Sequence, residues 1–207
     1  MKILAISDRV DERVYSEHIL HNYGDVDLFV GCGDLPYYYL EYVVSMINQP
    51  VLYVHGNHDA EVQLTATGRH VETAEGCDLI DGRVANVKGL IFMGLGGSKR
   101  YRPGPFQYTE GQMRARIARL IPRLLVNKLR YGRFVDVVIT HSPPYGIHDD
   151  TDRAHIGFKV FLTLMAWFKP RYLLHGHMHK RRYNTQTSTT FRDTTVVDVF
   201  PVRAIEV

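Results

Sequence analysis

The sequence holds 207 residues, 45% hydrophobic and 23% charged, with a net charge of +3. That length and apolar content suit one large domain over residues 1–207, with a core that needs no covalent staples. So mild a positive charge accommodates an anionic substrate without calling for nucleic acid, which is disfavoured as a partner. Cys32 and Cys77 form no paired-spacing framework, and no apolar run approaches the roughly 18 residues of a membrane span. The expected compartment is a reducing cytoplasm with no membrane partner, and the oligomeric state is left open.

In chain order, Lys2–Ile6 is a short apolar run that meets Ser7 and Asp8 at once, which reads as a buried strand and not as a signal peptide. Helix-length stretches follow at 13–22 and 37–48, separated by the strand-like run 28–30, which ends in Gly31-Cys32-Gly33-Asp34. Val51–Val54 ends in His55-Gly56-Asn57-His58-Asp59. Val84–Val87, the turn at Lys88-Gly89 and 90–94 predict a β-hairpin. A third helix is predicted over 109–130, with Pro122 as a break or kink. The run 135–139 ends in Thr140-His141-Ser142-Pro143-Pro144, and 172–174 ends in His175-Gly176-His177-Met178-His179. Between these two runs, 157–168 places Phe158, Phe161, Leu162, Met165 and Phe168 at helical spacing. Residues 182–207, rich in Thr and Val, predict two or three more strands. Strands alternating with helices give a mixed α/β sheet with crossover connections.

Eleven histidines is a high count, and many stand in short loops beside glycine or aspartate. Ligands in open α/β sheets collect beyond the carboxyl ends of strands. Five strand ends here deliver Asp8, Asp34, Asn57 with His58, His141, and His177 with His179. Singly, an Asp after a strand is commonly a turn or helix cap, and a lone His is more often structural than a ligand. Five strand ends that all furnish oxygen or imidazole donors exceed what capping explains. Mixed Asp, Asn and His donors suit divalent Mn²⁺, Fe²⁺ or Zn²⁺.

The order and spelling of these pieces resemble the calcineurin-like metallophosphoesterase family, which reads Asp-x-His, Gly-Asp, Gly-Asn-His-(Asp/Glu), a lone His, then Gly-His-x-His. The matching positions are Asp8, Gly33-Asp34, Gly56-Asn57-His58-Asp59, His141 and Gly176-His177-Met178-His179. The resemblance implies a four-layer α/β sandwich of two mixed β-sheets flanked by helices. It also implies a hydrolase acting on a small phosphorylated substrate with a metal-activated hydroxide, phosphodiesters being favoured over monoesters. By the same resemblance Asp34 bridges two divalent ions, Asn57, His141 and His177 complete one site, and Asp8 and His179 serve the other. His58 would protonate the leaving-group oxygen or stabilise charge on the phosphoryl group, and Asp59 would orient it. Two ions in such a centre lower the pKa of a bridging water and clamp both oxygens of an in-line displacement.

One position departs from the pattern. Val10 stands where the family has histidine, and valine ligates nothing. Water or Asp11 replaces the donor, or the site is weak, or one ion suffices; a weakened but usable dinuclear centre is the expectation. Two alternatives are a catalytically weak or inactive binding module on the same fold, and a nuclease supported by the arginine-rich stretch 114–133. The stretch 94–100 is glycine-rich and basic, with Arg100 a candidate substrate contact. Some of Tyr37, Tyr38 and Tyr39 are candidates to line the pocket, while Cys32 reads as a small buried residue and the acids of 148–152 as turn chemistry.

Overall fold

The structure is a computed structural model that describes residues 1–64, 68–178 and 186–207. Its elements begin with β1 (Lys2–Ile6), α1 (Ile19–Tyr23), β2 (Leu28–Cys32), α2 (Tyr37–Ile47) and β3 (Val51–Val54). Three two-residue strands follow, β4 (Gln63–Leu64), β5 (His70–Val71) and β6 (Asp78–Leu79), and then the hairpin of β7 (Val84–Val87) and β8 (Leu90–Leu95). After β9 (Ser98–Lys99) and β10 (Gln107–Tyr108) come the long α3 (Glu110–Tyr131), β11 (Val137–Thr140), α4 (Lys159–Phe168) and β12 (Tyr172–His175). The chain ends in β13 (Ser188–Phe191), β14 (Thr194–Asp198) and β15 (Val202–Glu206).

Two large mixed sheets result, one ordered β15-β1-β2-β3-β6 and the other β13-β14-β12-β11-β8-β7. In the first, β1, β2 and β3 run parallel and β15 closes the edge antiparallel. In the second, β8, β11, β12 and β14 run parallel. Alternation along each strand decides the layers. Ile3 and Ala5 face inward with Leu28, Val30, Leu52 and Val54, meeting Phe92, Val137, Ile139 and Leu174 from the other sheet. Leu4, Ile6 and Phe29 face outward under α1 and α2, while Met93, Val138 and Leu173 face α3 and α4. Helices, sheet, sheet, helices: this is the four-layer α/β sandwich expected of the sequence. Because both sheets end their parallel strands on one side, the loops that follow those strands share a common rim.

Local differences from the sequence reading have physical causes. The helix predicted over 13–22 is only Ile19–Tyr23. Upstream, Asp11 accepts from the backbone of Arg13 at 3.0 Å, and its own carbonyl accepts from Val14 and Tyr15; such local bonds compete with helix formation. Helix α3 runs uninterrupted through Pro122. Both Pro122 and Ala118, whose carbonyl loses its donor, are exposed, so solvent reaches that carbonyl. The start of α3 is a reciprocal cap in which Gln112 N–H donates to Thr109 Oγ1 at 3.2 Å and Thr109 N–H donates to Gln112 Oε1 at 2.9 Å. The β7–β8 turn has positive φ at both Lys88 (49°) and Gly89 (85°), the backbone a two-residue hairpin loop demands. The C-terminal stretch supplies three strands, and no helix among the described residues is long and apolar enough to cross a membrane.

Candidate metal centre

The loops that leave β1, β2, β3, β11 and β12 carry Asp8, Asp34, Asn57, His141 and His177 to one point between the sheets. Donor atoms of Asp8, Asp34 and His141 all lie within 4.8 Å of one another. His141 Nε2 sits 3.1 Å from Asn57 Oδ1, 3.1 Å from His177 Nδ1 and 3.4 Å from Asp34 Oδ2. Asp8, Asp34 and His177 hold φ of 63°, 54° and 69°. Three non-glycine residues in the left-handed region within one site are strain that the surrounding packing must enforce.

Each side chain is aimed by backbone groups. Nδ1–H of His141 donates to the Cys32 carbonyl at 2.8 Å, and Nε2–H of His177 donates to the Ala154 carbonyl at 2.8 Å. Those partners leave His141 Nε2 and His177 Nδ1 pointing inward, the way a carbonyl behind the ring orients metal-binding imidazoles. Asp34 Oδ1 accepts from the His58 amide at 2.7 Å, and both Asp8 oxygens accept from the His177 amide at 3.2 and 3.0 Å. A Cβ at Gly56 would collide with the Asp34 carboxylate, and one at Gly176 would lie 2.5 Å from Asp8 Oδ2 and from Ser7 Cβ. Glycine is therefore required where each loop backbone crosses a carboxylate. Gly176→Ala should lower stability by about 2 kcal/mol through overpacking and weaken metal uptake with it; thermal unfolding with and without metal measures both, and an unchanged protein would refute the steric reading.

Burial works against ionisation of Asp34, but the charge and hydrogen bond of His141, with the His58 amide, outweigh it and hold the carboxyl below the usual range. Burial also opposes charge on His141; Asp34 and Asp8 overcome it and push its pKa up to about 9. Burial and the His141 charge together press His177 down to about 3. Burial, reinforced by Asp34, raises Asp8 to about 6. In the metal-free protein, then, one proton on His141 Nε2 lies where electron pairs of Asp34, Asn57 and His177 converge. A divalent cation answers to the same donors with more charge. The residues fit a metal ion on the chemistry of that donor set.

Other sequence expectations fall differently. His179 lies outside the described residues. Val10 packs against the cluster beneath α1 and α2, so its side contributes no donor. Asp11 does not replace it: Arg13 Nε and Nη2 hold its two oxygens at 2.9 Å each, which lowers its pKa. Asp59 Oδ2 accepts from the amides of Gly56 at 2.8 Å and Asp34 at 3.1 Å. Its carboxylate thus shapes the loop that carries Asn57 and His58, whose ring is exposed. Tyr37 and Tyr39 are buried in the core and Tyr38 faces outward against Tyr15, so none lines the centre. In the glycine-rich stretch, the Gly96 amide donates to Asp81 at 2.6 Å and the Gly97 amide to His55 at 2.7 Å; these amides have protein partners and cradle no phosphate. Cys32 is a fully buried residue, as read, whose carbonyl aims His141.

Two features were missed in the sequence. Tyr101 OH accepts from Asn57 Nδ2 at 3.3 Å, fixing which face of the amide presents its oxygen. Behind the His55 turn, Asp81 pairs with Arg116 and, at 3.9 Å, with His55, whose other nitrogen meets Tyr37 OH at 3.1 Å. This buried network braces the loop bearing Asn57. It also removes Arg116 from the basic face of α3, as Asp136 at 2.7 Å engages Arg133 and the Gly132 carbonyl at 2.7 Å engages Lys128.

Two mixed sheets with carboxylate and imidazole donors at their shared rim define a metallophosphoesterase architecture. The chain belongs to the calcineurin-like phosphoesterase family, whose pattern matches residues 1–181. That family is one of metal-dependent phosphoester hydrolases. In fold the chain is similar to a solved structure at TM-score 0.67 and 16% identity, covering 99% of this chain and 94% of that one. It is likewise similar to TT1561 of Thermus thermophilus, at TM-score 0.60 and 15% identity over 96% and 88% of the two chains. A hypothetical protein from the same organism aligns at TM-score 0.50 and 15% identity over 96% and 76%. No curated protein matches the sequence.

Proposed function

We propose that this protein hydrolyses phosphate esters of a small phosphorylated substrate, phosphodiesters ahead of monoesters, at a centre holding one or two divalent ions such as Mn²⁺, Fe²⁺ or Zn²⁺. The observation that carries the reading is the convergence of Asp8, Asp34, Asn57, His141 and His177, with the two imidazoles turned inward by the Cys32 and Ala154 carbonyls. Asp34, Asn57, His141 and His177 would hold one ion; Asp8, with Asp34 and His179, would hold the second. Ions there supply Lewis acidity toward a phosphoryl oxygen and lower the pKa of water.

The protein's own contribution is positioning and proton transfer. A cavity of about 560 Å³ opens beside the donors, lined by Asp8, Asp34, Leu35, Pro36 and His58 among others. The His58 amide is pinned to Asp34 at 2.7 Å while its ring stays exposed to that cavity. From there the ring hands a proton to the leaving-group oxygen, the step in which a positioned imidazole typically contributes 10²–10⁴-fold. Asp59 acts one step removed, by shaping the His58 loop. Val10 leaves the Asp8 side one donor short, so that ion binds more weakly and fills at higher metal concentration. Two free cysteines, one of them fully buried, fit a reducing cytoplasm.

The test is metal bound per chain, measured beside hydrolysis of bis-p-nitrophenyl phosphate and p-nitrophenyl phosphate. One to two metals per chain, and a rate that falls at least about 100-fold in His58→Ala, are the expected results. A rate equal in the two proteins would leave a binding module on the same fold as the better reading.

A further inference from the structure

Beside the metal centre lies a second concavity of about 570 Å³, lined by Arg100, Tyr101, Arg102, Pro103, Gly104 and Arg153. Three arginines with no carboxylate partner among the described residues thus face one space. Arginine is built for this task, since its planar fork matches phosphate and stays charged at every working pH.

The site is shaped in advance. The short β9–β10 ladder pairs Ser98 with Gln107 and Lys99 with Tyr108, closing the loop that bears Arg100 and Arg102. Within that loop the buried Gln107 accepts, through Oε1, from the amides of Tyr101 and Arg102 at 3.3 Å each. Arg100 Nε and Nη2 donate to the Gln107 carbonyl at 3.3 and 3.2 Å, and Nη2 also donates to Gln112 Oε1 at 3.2 Å. The Arg102 guanidinium lies over the Tyr101 ring, 5.4 Å from its centroid. Arg153 shares that lining, and the acids near it in the chain have partners of their own, Asp150 accepting from the Thr151 amide at 2.7 Å. Asp152 pairs with His155 at 2.7 Å, and Asp149 accepts from the amides of Gly146 and Gly157 at 3.0 Å each.

Two contacts tie this concavity to the candidate metal centre. Tyr101, on its wall, accepts from Asn57, and Ala154, next to Arg153, accepts from His177. These contacts set the arginine concavity beside the donors, on the side toward which a substrate held there by its ester phosphate can extend a further anionic group. Three positive charges exceed what a carboxylate neutralises and suit a phosphate or pyrophosphate.

We propose that the Arg100–Arg102–Arg153 concavity binds a second phosphoryl group of the substrate, so that the preferred phosphoester is a bisphosphorylated small molecule. This rests on the hydrolase reading above. Two measurements keep the inference and that reading separate. The first is calorimetric binding of inorganic tripolyphosphate to the chelator-treated full chain, compared among wild type, Arg102→Ala and Arg153→Ala of matched unfolding temperature. Affinity should fall about tenfold for each arginine removed; equal affinity in all three proteins would overturn the site. The second is kcat/KM, with metal, for a nucleoside 2′,3′-cyclic phosphate that also bears a 5′-phosphate and for a sugar phosphodiester that bears a further phosphate, each against the same diester without the extra phosphate. One pair should show a preference for the diester with the extra phosphate in wild type, and whichever does identifies the scaffold. The double arginine variant should erase that preference mainly through KM. No preference in either pair, or faster turnover of a single-stranded oligonucleotide than of both diesters with the extra phosphate, would overturn the substrate assignment. Arginine-dependent tripolyphosphate binding, with wild-type rates no better than those of His58→Ala, would overturn the hydrolase reading and leave an anion-binding module.

Discussion

Replacing Asp34 with alanine is expected to strip metal from the protein and to reduce phosphoester hydrolysis at least about 1000-fold, to the level of the metal-free chain. Asp34 is the residue on which the other donors depend. Its Oδ2 faces His141 at 3.4 Å, its Oδ1 holds the His58 amide at 2.7 Å, and its amide is anchored by Asp59 at 3.1 Å. The substitution would therefore remove the donor proposed to be shared, free the loop that carries His58, the proposed proton donor, and leave the buried His141 without its charge partner. Losing one member of a buried ion pair costs about 3–5 kcal/mol, so the metal-free variant should also unfold at lower denaturant concentration. Asp34→Asn keeps the shape and separates the two effects. It should recover much of the stability while still binding metal poorly. Metal content by mass spectrometry and urea unfolding of the two variants decide the matter, and full metal occupancy in Asp34→Ala would remove the bridging role from Asp34.

The second large effect is on pH. His141, raised to about 9 in the folded chain against 6.5 in the unfolded, stabilises the metal-free protein fully below pH 6.5. That contribution, about 3 kcal/mol, should fade as pH climbs from 6.5 through 9. His177, depressed to about 3, acts in the other direction, with stability present above pH 6.5 and lost as pH falls toward 3. Asp8, raised to about 6, contributes below pH 3.8 and loses its contribution as pH rises through 6. A cation needs the pair of electrons that carries the His141 proton, so metal uptake must release that proton. Affinity should accordingly climb about tenfold per pH unit between 6.5 and 9, and more steeply below 6, where Asp8 must also lose a proton. Unfolding curves for chelator-treated and metal-loaded protein across this range give the coupling directly. An equal metal-induced shift in unfolding midpoint at pH 6.5 and pH 8.5 would contradict it.

Much of the candidate centre could be read from the chain because its donors sit one to three residues past buried strands. Asp8 follows Ile6, Asp34 follows Cys32, and His141 follows Thr140 directly. A run of apolar residues fixes the strand, the strand fixes where it ends, and a parallel sheet brings such ends to one rim. The β7–β8 hairpin was legible for a similar local reason, a turn whose two residues carry the required positive φ. Legibility failed where a side chain has two chemical options. Asp11 can donate to a metal or bind Arg13, and only the fold shows Arg13 against it at 2.9 Å. Asp59 can orient His58 or hold the loop backbone, and only the fold shows its carboxylate accepting from the amides of Gly56 and Asp34. Arg116 reads like its neighbours Arg114 and Arg119, but it alone of the three turns inward to Asp81.

Local sequence alone therefore marked the main strands and the order of the donor-bearing loops, because each follows from periodicity and residue type within a few positions; the sandwich came with the family resemblance those motifs carry, and the two-residue strands β4, β5, β6, β9 and β10 are too short to show a period. Tertiary structure decided which proton His141 keeps, which carbonyls aim the imidazoles, and which arginines share a space. Those depend on residues far apart in the chain, Cys32 with His141 and Arg100 with Arg153, whose separations are closed by the packing of two sheets and not by any local rule.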